Sequence, residues 1–336
     1  MHFPSVSESR HKLLVPSLVL LLLLAAGLSI GIGPVSLGPA RLLGALFDHG
    51  DRIAHTIVVD IRLPRMLVGV LVGAMLGLSG AALQGYLRNP LAEPSVLGAS
   101  NAAAMGAVIA IYFGLANLHT AILPTLAILT GLSALVLLFM LAGRSESPLS
   151  LILAGIAVAT LAGAGISLAL NLAPNPFAAM EIMTWLLGSI ENRTIGHVWI
   201  VLPCVLAGAL LLARSGRALD ALSLGEDGAK SLGVDLDRTR LQILMGVAIG
   251  VGGAVAVSGA IGFIGLIVPH MIRPFTDRSP AAILLPSMLA GAALLTFADV
   301  AVRLIPTQNE LKLGVVTAFL GVPVFLIHLL RERRLW

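Results

Sequence analysis

Residues 62–94, RLPRMLVGVLVGAMLGLSGAALQGYLRNPLAEP, decide the fold class. Two arginines flank a proline, an apolar run studded with glycine and alanine follows, and the run breaks at Asn89-Pro90. A bilayer core of about 30 Å takes roughly 20 apolar residues as a helix, which this run supplies. It lacks the two-residue alternation of a lipid-facing barrel strand, so the spanning element is helical. A degenerate second copy lies downstream at one constant offset: Val72-Gly73, Ser79-Gly80-Ala81, Leu87 and Pro90 meet Val251-Gly252, Ser258-Gly259-Ala260, Leu266 and Pro269. Internal repetition of this kind organises a chain before any single motif does.

The rest of the chain has the same character. It is 57% hydrophobic and 11% charged, with a mean hydropathy of +0.99, values that describe an all-α polytopic membrane protein. Thirty-six glycines suit close helix–helix approach in lipid. The single cysteine, Cys204, excludes an internal disulfide and a cysteine-rich metal site. No histidine or carboxylate stands at ligand spacing beside His270, so neither metal nor cofactor is expected. The net charge of +4 comes from basic residues scattered between spans, which is topology information and no sign of a nucleic-acid partner.

About ten spans are predicted, near residues 13–32, 62–87, 96–113, 120–142, 149–172, 197–213, 241–258, 267–275, 281–304 and 313–330. The first is kept as a span, because its apolar run exceeds a signal-peptide core and no A-x-A site follows. Residues 33–61 read as a mixed loop, and 173–196 as a semi-polar segment holding a short surface helix. The charged stretch 214–240 retains helical periodicity and reads as two short amphipathic helices broken at Gly225 or Gly233. Most of the 21 lysines and arginines fall inside if both termini are cytoplasmic. The second and seventh spans then cross in opposite directions. One transmembrane domain, 1–336, therefore holds an inverted repeat, spans 2–5 (62–172) against spans 7–10 (241–332), an arrangement typical of transporters.

Several long stretches in order resemble a known family: RLPR at 62–65, LSGAALQGYLRNPLAEPSVLGAS at 78–100, LILAGIAV at 151–158, LGEDGAKSLGV at 224–234, SGAIGFIGLIVPHMIR at 258–273 and ELKLGVVTAFLGVPVF at 310–325. The family is the FecCD-type permease subunits of type II ABC importers for cobalamin, haem and ferric siderophores, and the resemblance covers nearly the whole chain. It implies a bacterial inner-membrane protein of ten helices that pairs with a second permease subunit, two cytoplasmic ATPase subunits and a periplasmic binding protein. The sequence agrees independently on one point, since no G-x-x-x-x-G-K-[ST] phosphate loop occurs and the chain cannot hydrolyse ATP itself. An ion-coupled secondary carrier is the alternative that an inverted repeat alone supports equally.

The candidate site residues fall into three groups. Arg62 and Arg65 sit three apart at the expected outer start of the second span, where positive charge opposes the helix dipole and calls for an anion. The resemblance implies that they and Arg303 receive glutamates of the binding protein; interfacial anchoring by snorkelling is the plainer reading. Asn89, Pro90 and Leu91 break the second span at its inner end, and the resemblance places an inner gate there, opposite Ser147, Pro148 and Leu149. On the charged stretch, Leu219, Leu222, Leu224 and Leu232 form an apolar stripe, with Gly225, Glu226, Asp227, Lys230 and Gly233 around it. That stripe reads as a surface for the ATPase, against the alternative of a solvated helix face. Asp299, four residues before Arg303, is expected to pair with it and fix the ninth span.

Overall fold

The computed structural model describes residues 8–47, 51–143, 148–277, 279–307 and 310–332. Among these the secondary structure is helical, with no strand. The N-terminal helix α1 (Glu8–Gly31) is followed by α2 (Pro39–Phe47) and α3 (Arg52–His55), which runs through a π-helical turn (Thr56–Arg62) into α4 (Leu63–Tyr86). Then come α5 (Ala99–Tyr112), α6 (Ile122–Ala142), α7 (Pro148–Asn171), the surface helix α8 (Pro176–Leu186) and α9 (Ile195–Arg214). Two short helices, α10 (Gly216–Leu222) and α11 (Glu226–Ser231), lead to α12 (Leu236–Ser258), α13 (Ile264–Ile272), α14 (Pro280–Leu304) and α15 (Leu313–Glu332).

Seven helical stretches are long and apolar enough to cross a membrane, and three shorter apolar helices stand where the third, eighth and tenth spans were expected. The order long, short, long occurs in α4–α6 and again in α12–α14. The constant sequence offset does not carry over to the helices, however: Gly80 lies inside α4, whereas Gly259 ends α12 in a left-handed conformation (φ +68°).

One boundary is corrected by a large margin. The second span does not begin at Arg62 but continues a single helix of 35 residues, Arg52–Tyr86. At about 1.5 Å per residue it is about 52 Å long, well beyond the roughly 30 Å apolar core. Its first turns therefore project from the bilayer, where polar residues such as Thr56 and Asp60 are at home. Asp51 caps it by accepting from the Ala54 N–H (3.1 Å). The segment read as a loop also contains α2.

The centre of the bundle is α4. It packs on α14, α13, α9 and α12, and glycine makes the closest of these approaches possible. A Cβ at Gly73 would overlap the Gly291 carbonyl, one at Gly77 the Ser287 carbonyl, and one at Gly80 the Gly265 carbonyl. Backbones thus meet directly, as small-residue helix pairs do in lipid. Helices α1, α7 and α9 lie at the periphery and leave many leucines exposed, as lipid-facing helices should.

Candidate functional site

On the sidedness expected from the lysines and arginines, the end of the bundle near Arg62 is the outer one and the end near α10 and α11 the inner one. At the outer end, the polypeptide gathers five charged side chains from three places in the sequence. Arg65 projects from α4 onto Asp299 of α14, with Nη2 and Nε donating to Oδ1 at 2.7 and 2.9 Å. Arg303, one turn further along α14, pairs with the other oxygen of Asp299 at 2.7 Å, so the expected Asp299–Arg303 pair is present. Glu310, just before α15, closes the far side of the Arg65 guanidinium, its Oε2 accepting from Nη1 at 3.1 Å. Asp299 is 1% exposed and Arg303 3%, whereas Glu310 keeps 22%. Two carboxylates thus neutralise two guanidiniums in a setting where an unpaired charge would be prohibitive.

Apart from a long bond from Arg303 Nε to the Asp299 carbonyl (3.4 Å), the remaining bonds of Arg303 and those found for Arg62 go to one target, the end of α1 and the residues just after it. The last carbonyls of a helix have no partner inside it, and they form the negative end of its dipole. Arg62 Nη1 donates to the carbonyls of Ile30 (2.8 Å) and Gly31 (2.9 Å), and Nη2 to that of Val35. Arg303 Nη1 donates to Ser29 O (2.9 Å) and Ile32 O (3.0 Å), and Nη2 to Ser29 Oγ (2.6 Å). The acceptors that satisfy these arginines are therefore internal: carboxylates for Arg65 and Arg303, backbone carbonyls for Arg62. The sequence expectation put Arg62 and Arg65 at a helix start and on the surface. Both are instead mid-helix and buried, because the helix begins ten residues earlier. The structure does bring Arg65 and Arg303 together, on the shared Asp299.

At the inner end, α4 stops at Tyr86 and the chain turns with Arg88 at φ +48°. Asn89 then forms an Asx turn, its Oδ1 accepting from the Leu91 N–H at 2.9 Å, and Pro90 occupies the turn between them. Leu91 and Leu149 are exposed, Pro148 opens α7, and Ser147 lies outside the described residues.

The charged stretch forms two helices broken at Gly225, which adopts φ +93°, and Gly233 (φ +81°) ends the second. Its last residues, from Leu236, already belong to α12. The expected stripe is divided. Leu219 and Leu222 are buried in this chain, together with Ala229, and only Leu224 (70% exposed) and Leu232 (65%) face outward, with exposed Asp227 and Lys230 beside them. Helical periodicity predicted one apolar face, but each short helix has two neighbours, and the bundle takes the nearer leucines. Asp220 joins α10 to α14, its Oδ1 accepting from the Ala281 N–H at 2.9 Å in the first turn of that helix. Glu226 lies 4.0 Å from Arg88 at the end of α4.

Residues 20–331 match the family model of the FecCD transport family. The chain belongs to the FecCD transport family. Among its relatives, the ferric enterobactin transport system permease protein FepD of Escherichia coli (strain K12) is 39% identical over 98% of both chains. The vitamin B12 import system permease protein BtuC of Vibrio vulnificus (strain CMCP6) is 35% identical over 97% of this chain and 96% of that one. A solved structure described as an inward-facing conformation of a metal-chelate type ABC transporter superposes with a TM-score of 0.83 at 32% identity, covering 94% of this chain and 98% of its own. The relatives are ABC transporter permeases, and a multi-pass membrane subunit is what this FecCD-family fold builds.

Four residues of the FecCD-family chain escaped the sequence reading. Glu310 opens the ELKLG stretch, and a carboxylate at a span edge was the available signal. Asp220 and Arg88 gave none, since their partners belong to other helices. Gln84, buried in α4, donates through Nε2 to the carbonyls of Gly265 (3.3 Å) and Leu266 (3.1 Å) and accepts from Arg273 (3.1 Å), which ties α13 to α4.

Proposed function

We propose that this chain is the translocation subunit of an ATP-driven importer that moves a bulky metal chelate, a ferric siderophore, haem or cobalamin, from periplasm to cytoplasm. It works as a pair of permease subunits with two ATPase subunits and a delivering protein in the periplasm, and both termini are cytoplasmic. The observation that carries this reading is the inner surface: a chain without a phosphate loop presents Leu224 and Leu232 to solvent on a polar two-helix loop. Two exposed leucines beside Asp227 and Lys230 suit a protein partner, and the ATPase is the partner that the family supplies. A secondary carrier needs no such surface.

The loop is built to pass on what it receives. Asp220 connects it to the start of α14 and Arg88 connects it to the end of α4. The turn at Asn89, Pro90 and Leu91 follows α4 directly, and with Ser147, Pro148 and Leu149 it forms the inner gate in this reading. Docking of the delivering protein falls at the outer cluster. Because Arg62 and Arg303 cap α1, an incoming carboxylate gains access to Arg65 by exchange with Glu310, the member of the cluster that water reaches.

The experiment is copurification. Replacing Leu224 and Leu232 together by aspartate leaves a folded permease, since surface substitutions of this kind stay within about 0.5 kcal/mol. It should no longer retain the ATPase or support transport. Normal ATPase retention by the double variant would remove the basis of this reading.

A further inference from the structure

Helix α1 is held unevenly. Its outer end is fixed by the guanidiniums of Arg62 and Arg303 on the carbonyls from Ser29 to Val35. Among its described side chains only Leu18, Ala25 and Ser29 are buried, a single stripe against α14. Toward its first turns the helix stands off from the bundle. A groove of about 630 Å³ remains there between α1, α13 and α14, walled by Leu14, Ser17, Leu21, Met271, Phe275 and Leu294.

The chemistry of this groove limits what can fill it. Among the described residues that line it Ser17 is the only polar one, and its hydroxyl already donates to the Leu14 carbonyl at 2.8 Å. A water molecule needs two to four polar partners and finds none. Leaving the space empty would forfeit dispersion contacts along the whole wall. The wall residues Leu13, Leu21, Met271 and Phe275 are exposed at its mouth, so the groove opens sideways to lipid. From Leu13 to Leu21 the wall is about 12 Å long at 1.5 Å per residue, close to half of the roughly 30 Å apolar core. One leaflet's hydrocarbon chain matches that length. In the sequence the basic residues Arg10 and Lys12 precede Leu13, and basic residues beside an apolar span attract anionic headgroups.

We infer that the groove is a binding site for one acyl chain of a membrane phospholipid, from the leaflet on the Leu13 side. The chain completes the packing of α1, which the protein itself secures only at the opposite end. A second copy of the protein is the competing occupant, and the measurement below separates the two.

The test uses the full-length protein in liposomes of phosphatidylethanolamine and phosphatidylglycerol doped with a phospholipid carrying a photoactivatable diazirine midway along one acyl chain. After irradiation, peptide mapping should find the groove peptides around Leu14–Leu21 and Met271–Phe275 labelled severalfold more densely than the exposed faces of α6 and α7. Filling the groove by Ala290→Phe should reduce groove labelling severalfold and leave the other faces unchanged. Ser17→Phe, on the exposed rim, provides the same measurement if the first variant fails to fold, as judged by gel filtration. Uniform labelling of all faces, or groove labelling unchanged in a folded filling variant, would overturn the proposal. So would efficient disulfide-linked dimers of Met271→Cys at the expense of lipid labelling, which would assign the groove to a second subunit.

Discussion

The two ends of the α4–α14 pair carry charge in opposite ways. At the outer end Arg65, Asp299, Arg303 and Glu310 neutralise one another, and the guanidiniums left over cap α1. At the inner end Asp227 and Lys230 stand exposed beside Leu224 and Leu232, and a cross-helix ion pair there, Arg88–Glu226, is long and partly in water. Burial explains the difference. A charge taken out of water must be satisfied within the same chain, whereas one left in water is solvated and is not committed to the fold. The outer end is accordingly a fastening within the subunit, and the inner end a surface held out from it.

If this contrast is correct, removing Asp299 should have the largest effect of any single change at either end. Asp299→Ala takes the paired carboxylate from Arg303, leaving it with its bonds to Ser29 and Ile32, and one of two carboxylates from Arg65; breaking a buried pair in this way costs about 3–5 kcal/mol. Thermal unfolding in nanodiscs should show a lower midpoint and poor recovery of dispersed protein. An unchanged melting curve would mean that the cluster is wet and the contrast false.

A smaller effect of opposite sign is expected from Glu310→Gln. It removes the partly exposed carboxylate from Arg65 and so releases a cation for the delivering protein. Affinity for that protein should rise by about 1 kcal/mol, roughly fivefold, with a steeper dependence on salt. If affinity falls or does not move, Glu310 does not occupy a place that an incoming carboxylate uses.

The smallest effect belongs to the inner end. Arg88→Ala breaks a partly exposed pair at 4.0 Å, and such pairs contribute at most about 1 kcal/mol. The melting midpoint should barely change. A loss of stability approaching that of Asp299→Ala would show that the inner charges are fastened as tightly as the outer ones.

What could be read in the sequence follows the same physics. The seven long spans were legible because lipid demands long apolar helices, and the breaks at Asn89-Pro90 and Gly225 because proline and glycine act locally. The outward extension of α4 was not, since hydropathy reports where the bilayer ends and not where a helix does. Spacing correctly paired Asp299 with Arg303 on one helix. It had no means to find Arg65 on Asp299, which are 234 positions apart. Likewise Leu219, Leu222, Leu224 and Leu232 share a periodicity, yet only the three-dimensional setting decides which of them this chain covers.

The glycine seam between α4 and its neighbours has a consequence for how the sequence can drift. Every replacement for glycine brings a Cβ, and at Gly73, Gly77 and Gly80 that atom would lie against a carbonyl of α14 or α13, where no side chain can move aside. These positions are closed to point mutation unless two helices part. Gly27 and Gly163, which face open space, accept alanine freely. A subunit of this design can vary along its periphery, while its central seam admits almost no variation.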